Sequence, residues 1–169
     1  KKHVSESLHK FVQKLKKKFR TDDPFEIAEA CNINIKYKDF TDLKGMYTVI
    51  QRCPYIFLNK SLDEHMEKIV LFHELGHHFL HRHHAVSAFK ENGLYDMSSK
   101  LEIEANIFAA NFIIRDEDVM ENVGYGYTTE QAAMAMCVPH EMLLINLNDM
   151  NVRGCSLNIP YIPGSDMLL

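Results

Sequence analysis

The sequence predicts an α+β fold in which a small, mostly antiparallel sheet of about three strands is set among helices. Three observations carry this expectation. Ile33, Ile35 and Tyr37 alternate with polar partners, the two-residue period of a half-buried strand, and "GMYTVIQ" and "YIFLN" are two more β-rich runs. On either side of these runs apolar residues recur every three or four positions, the period of a helix with one buried face. The longest helical stretch, "SLDEHMEKIVLFHELGHHFLH" (61–81), follows directly on the β-rich segment.

Taken in order, Val4, Leu8, Phe11, Val12, Leu15 and Phe19 form the apolar stripe of a first helix, and its lysines form the solvated back. In "TDDPFEIAEACN", Asp23 suits the N-cap, Pro24 the first helical position and Glu26 the third member of a capping box, with Asn32 ending the helix. "INIKYKDF", "GMYTVIQ" and "YIFLN" read as strands, the last two joined by the turn-like "RCP". Pro54 cannot donate to a sheet ladder, so it is expected in the connection or on an edge. Ser61 and Glu64 then suggest a capping box for the long helix. Residues 83–98 break the helical pattern and read as a loop or lid. "LEIEANIFAANFII" resumes it to about Ile114, and "RDEDVMENV" reads as an acidic turn before "GYGY". "TTEQAAMAMCVPHEMLLINLNDM" reads as two short helices with Pro139 opening the second, and 151–169 as an extended tail.

Of the 169 residues 46% are apolar, enough for a packed core and too many for a disordered chain. No apolar run approaches the roughly 18 residues that span a bilayer, and the lysine-rich start lacks the apolar stretch of a secretory signal. Cys31, Cys53, Cys137 and Cys155 are widely spaced without a CxxC, which suits reduced thiols in a cytoplasmic protein. Residues 1–20 hold eight Lys/Arg against Glu6 alone, although the whole chain is −4. An acidic body behind an amphipathic helix argues against direct nucleic-acid binding.

The chemistry is concentrated in "LFHELGHHFLH". A helix advances about 1.5 Å and 100° per residue, so His73 and His77 point the same way and can bind one ion. Glu74 lies to the side, placed to take a proton from a water in the open coordination position. That is the physical basis of HExxH in zinc hydrolases. Gly76 permits another segment to approach this helix closely. The alternative reading is a set of satisfied core histidines.

A catalytic zinc needs a third protein ligand. His81 continues the stripe, but its backbone stands about 12 Å from that of His73, too far for one ion to bind both along with His77. His78, His81, His83 and His84 are read as a polar helix end. That leaves a carboxylate of the next helix. Glu102 and Asn106 share a face there, and Ala105, Ala109 and Ala110 allow close packing. Glu104 points about 160° away from Glu102, so both cannot be ligands. Ser99 and Glu102 also fit a capping box, and spacing leaves Glu102 and Glu104 both open.

"HELGHHFLH" followed by "EIEANIFAA", with "GMYTVIQRCPYIFLN" before them, resembles the ImmA/IrrE family of bacterial metallopeptidases over about residues 22–150. The resemblance implies that Glu102 is the third ligand of a single Zn2+ and that Asn106 orients one of the zinc histidines. It implies a minimal zincin (gluzincin-like) core over 1–123, a helix-turn-helix-like lobe over 124–150, and then the tail. Family members often place a proline just after the alanine-rich helix, where this chain has "FIIRDEDV". The implied function is site-specific cleavage of a protein substrate, a helix-turn-helix transcriptional repressor of a phage or mobile element, with Glu74 as general base. Tyr47, Tyr95, Tyr125, Tyr127 and His140 could each supply an oxyanion donor, and strand 55–58 could hold the substrate as an edge. The competing function is a zincin-fold module that sequesters a repressor or other partner without cutting it. A DNA-binding regulator is a third, disfavoured by the acidic body.

Overall fold

A computed structural model describes residues 2–83, 95 and 99–159. Seven helices and three strands run in the order α1 (Lys2–Phe19), α2 (Pro24–Ala30), β1 (Asn34–Lys38), β2 (Gly45–Ile50), β3 (Cys53–Asn59), α3 (Glu64–His81), α4 (Lys100–Ile113), α5 (Asp116–Gly124), α6 (Thr129–Ala135) and α7 (His140–Arg153). The class is α+β, as expected. The lid expected over 83–98 lies outside the described residues except for His83 and Tyr95, as does the tail from 160 on.

The strands are ordered β1-β3-β2. β3 pairs antiparallel with β2 and parallel with β1, so the sheet is mixed and β3 is its centre. The strand expected to offer an edge at 55–58 therefore has none. β1 and β2 are the edges. Pro54 is tolerated in a central strand because pairing with β1 begins only at Tyr55. The β2–β3 turn also falls earlier than "RCP": Gln51 and Arg52 both take positive φ (51° and 69°), the conformation of a two-residue hairpin loop. On the inner face Tyr47, Ile56 and Leu58 are buried against the helices.

Local chemistry explains the helix starts. Asp23 accepts from the Phe25 N–H, with Pro24 at the first turn. For α3 the cap is Asp63, accepting from the Met66 N–H at 2.8 Å, rather than Ser61. Ser61 instead donates to Asn59, whose amide also bonds the carbonyls of Phe40 and Leu43 and so ties the strand to the preceding loop. Ser99 caps α4 through the Glu102 N–H. The missing proline is replaced by extended backbone at Ile114 and Arg115, after which α5 begins. α5 was expected as a turn. Its three acids at the N-terminus suit a helix dipole, and only Val119 and Asn122 of it are buried, too few for a clear apolar stripe.

α3 and α4 pair more extensively than any other helices, and α7 packs on both α1 and α4. α7 is longer than expected, and 151–153 belong to its last turn before Gly154 (φ 119°) ends it. Between α1, α4 and α7 lies a buried polar hub. Asp149 accepts from Ser5 Oγ, from Asn111 Nδ2 at 3.0 Å and from Arg153 Nε at 2.9 Å. No described helix is long and apolar enough to cross a membrane.

Candidate metal centre

The middle of α3 is buried on every side from Ile69 to His78, which strips water from His73, Glu74 and His77. Such a helix needs a close neighbour, and Gly76 provides the approach. A Cβ there would stand 3.0 Å from Ala105 Cα and 3.2 Å from Ala105 O. The absent side chain thus lets the α4 backbone come near enough to present Glu102.

Three donors converge. His73 Nε2 and His77 Nε2 are 3.2 Å apart, Glu102 Oε2 is 3.3 Å from His73 Nε2, and Glu102 Oε1 is 3.5 Å from His77 Nε2. Among the described residues these three side chains, all buried, bring their ligand atoms within 4.8 Å of one another. A tetrahedral ion with donors about 2.0–2.2 Å away spaces them about 3.3–3.6 Å apart, so the residues present fit zinc.

Protonation fits as well. Burial disfavours the charged form of His77 and lowers its pKa despite the neighbouring Glu102. For Glu102, burial pushes upward, but hydrogen bonds and charge interactions with His73 and His77 outweigh it and bring the pKa to about 2. A neutral imidazole and an ionised carboxylate are the forms that bind a metal.

The supporting contacts separate the open alternatives. Asn106 Oδ1 lies 2.9 Å from His73 Nδ1 and also accepts from the Tyr95 N–H at 3.3 Å. Glu104 does not reach the triad but lies 2.9 Å from Nε2 of His81, whose Nδ1 is 3.2 Å from Nδ1 of His77. His81 and His78 are buried, so the expectation of a polar helix end fails for both. His78 meets the Tyr47 hydroxyl at 3.0 Å, and burial, then Arg82, lowers its pKa to about 4. For His81 the sequence signal was available in its place on the apolar stripe of α3.

Glu74 is 3% exposed and faces β2. Its Oε1 would lie 2.9 Å from a Cβ on Gly45, a contact for which the sequence held no sign. Of the oxyanion candidates, Tyr47 packs on α3 through His78. Tyr125 bonds Glu121 and His140 bonds Thr129, both within the C-terminal helices.

The chain is similar over most of its length to known proteins. The IrrE N-terminal-like domain, a peptidase family, matches residues 28–148. "Uncharacterized immunity region protein 2" of Bacillus phage phi105 is 34% identical over 141 residues, covering 83% of this chain and 87% of that protein. "Metallopeptidase ImmA" of Bacillus subtilis (strain 168) is 28% identical over 140 residues, covering 81% and 82%.

Proposed function

The chain belongs to the IrrE N-terminal-like (ImmA/IrrE) peptidase family, and on that premise we propose that it is a zinc-dependent endopeptidase. Its substrate in this reading is a regulatory protein cut at one site, a helix-turn-helix repressor of a phage or mobile element. The observation that carries the reading is the buried donor set of His73, His77 and Glu102 with a second buried carboxylate, Glu74, beside it. The phage immunity region named for one relative supports a repressor as substrate.

Zinc held by the triad would supply Lewis acidity and bring the pKa of a water toward neutrality. The chain's own residues do the rest. Glu74 takes the proton of the attacking water and passes it to the leaving amine. Asn106 holds His73 by the ring nitrogen opposite the triad. β2 is an edge strand whose Gly45 lies against Glu74, so a substrate segment added to that edge would run past the base. The four unpaired cysteines suit a cytoplasmic setting.

A sequestering module would have no need of a base. Glu74→Gln separates the two readings. Helix-turn-helix repressors of the source genome are incubated with the wild type and the variant, and products are identified by mass spectrometry. One zinc in each protein with cleavage by the wild type alone is the expected result. Equal cleavage by both, or no zinc in either, overturns the mechanism, and zinc without cleavage favours sequestration.

A further inference from the structure

We propose that His81 and Glu104 form a positioning chain that holds the imidazole of His77 in the orientation and tautomer a metal requires. This rests on reading His73, His77 and Glu102 as a metal centre.

The contacts run in series. His77 turns Nε2 toward His73 and Glu102, so its Nδ1 faces the other way, and there it meets Nδ1 of His81 at 3.2 Å. His81 in turn places Nε2 2.9 Å from Glu104 Oε2. His77 and His81 are 7% and 4% exposed, and the Glu104 side chain is 20% exposed, so water is a poor substitute for these partners.

The protons along this chain can be assigned. A neutral imidazole that ligates through Nε2 carries its proton on Nδ1. His77 Nδ1–H then donates to His81 Nδ1, which must be unprotonated. Neutral His81 therefore carries its proton on Nε2 and donates it to the Glu104 carboxylate, which only accepts. The opposite assignment fails at both ends. It would put the His77 proton on Nε2, where a metal must bind, and would set a bare ring nitrogen against a carboxylate oxygen at 2.9 Å. Glu104 thus selects the tautomer two hydrogen bonds away.

The two histidines of the centre are held differently. His73 has the neutral amide of Asn106, whereas His77 has an imidazole backed by a carboxylate. The role of His81 follows from the helical repeat of α3, which keeps a third imidazole on the same face yet out of reach of the ion. Glu104 contributes from α4 without occupying a ligand position.

The test measures zinc affinity by chelator competition in the full-length protein. Alongside it, the His77 tautomer is read in the metal-free protein from the nitrogen chemical shifts of the ring. Glu104→Ala and His81→Phe are expected to weaken zinc binding about 10–100-fold and to erode the His77 Nδ1–H tautomer. Glu104→Gln, which keeps an acceptor oxygen, should recover most of the affinity. The double variant should lose no more than either single one, because the two residues act in series. Lys100→Ala, which removes an exposed partner of Glu104 at 3.6 Å, serves as the control and should bind like the wild type. Zinc affinity within about twofold of wild type in both Glu104→Ala and His81→Phe, or an unchanged His77 tautomer, overturns the proposal. A wild-type protein that binds no zinc overturns the metal centre itself, and this proposal with it.

Discussion

Gly76→Ala tests whether the centre depends on how closely α3 and α4 approach. The added Cβ would lie 3.0 Å from Ala105 Cα, 3.2 Å from Ala105 O and 3.3 Å from Ala105 Cβ. Two of these are backbone atoms, so no flexible side chain can yield and the helices must separate by a few tenths of an ångström. Overpacking of this kind costs about 1–3 kcal/mol, while replacing a mid-helix glycine by alanine returns about 1 kcal/mol. Net destabilisation is therefore about 0–2 kcal/mol, too small to be the main readout. Metal affinity is more sensitive. Ala105 lies one turn from Glu102, and a metal site tolerates donor displacements of only about 0.2 Å. Zinc binding is expected to fall by about tenfold or more, measured by chelator competition, with urea denaturation of the metal-free protein as the stability control. A variant that is more stable by about 1 kcal/mol, the full propensity gain, and binds zinc like the wild type would refute the reasoning.

Gly45→Ala places a Cβ 2.6 Å from Val70 Cγ1 and 2.9 Å from Glu74 Oε1, so it should retain zinc but cleave substrate at least about tenfold more slowly. Full activity would show that Glu74 does not depend on that space. For His78 the folded pKa, about 4, lies below the ordinary 6.5, chiefly because burial disfavours the charged ring. Between those values the unfolded chain binds more protons, so the metal-free protein should lose stability as pH falls from 6.5 toward 4. His78→Gln should flatten that slope in urea titrations at several pH values, with His77, shifted in the same direction, keeping part of it. An unchanged slope would mean that His78 is not held neutral. Asp149→Ala removes the acceptor shared by Ser5, Asn111 and Arg153, and should cost about 3–5 kcal/mol in urea denaturation. A loss under about 1 kcal/mol, the worth of a single ordinary hydrogen bond, would mean that the hub is solvated.

What the sequence by itself determined is whatever one helix or one turn decides. His73 and His77 share a face because a helix repeats every 3.6 residues, and that geometry is complete before any other element packs. Asp23 and Ser99 mark helix starts because a cap acts within three residues of itself, and Pro139 marks one because its ring fixes φ at a value suited to entering a helix. Gly76 could be expected to invite a neighbour, since the lack of a side chain is a local fact. α5 escaped notice because its buried contacts are few. Tertiary structure decided everything that required two distant segments to meet. The sheet order is one case, because a strand's alternation shows which face is buried but not which strands lie beside it. The roles of Glu102 and Glu104 are another. Helix geometry alone turns them about 160° apart, but which of them meets the centre is decided only when α4 docks against α3, which brings Glu102 to His73 and His77 and Glu104 to His81. His81 itself had a visible place in the stripe, but its partners came from packing, and with them the difference between a polar helix end and a buried link to His77.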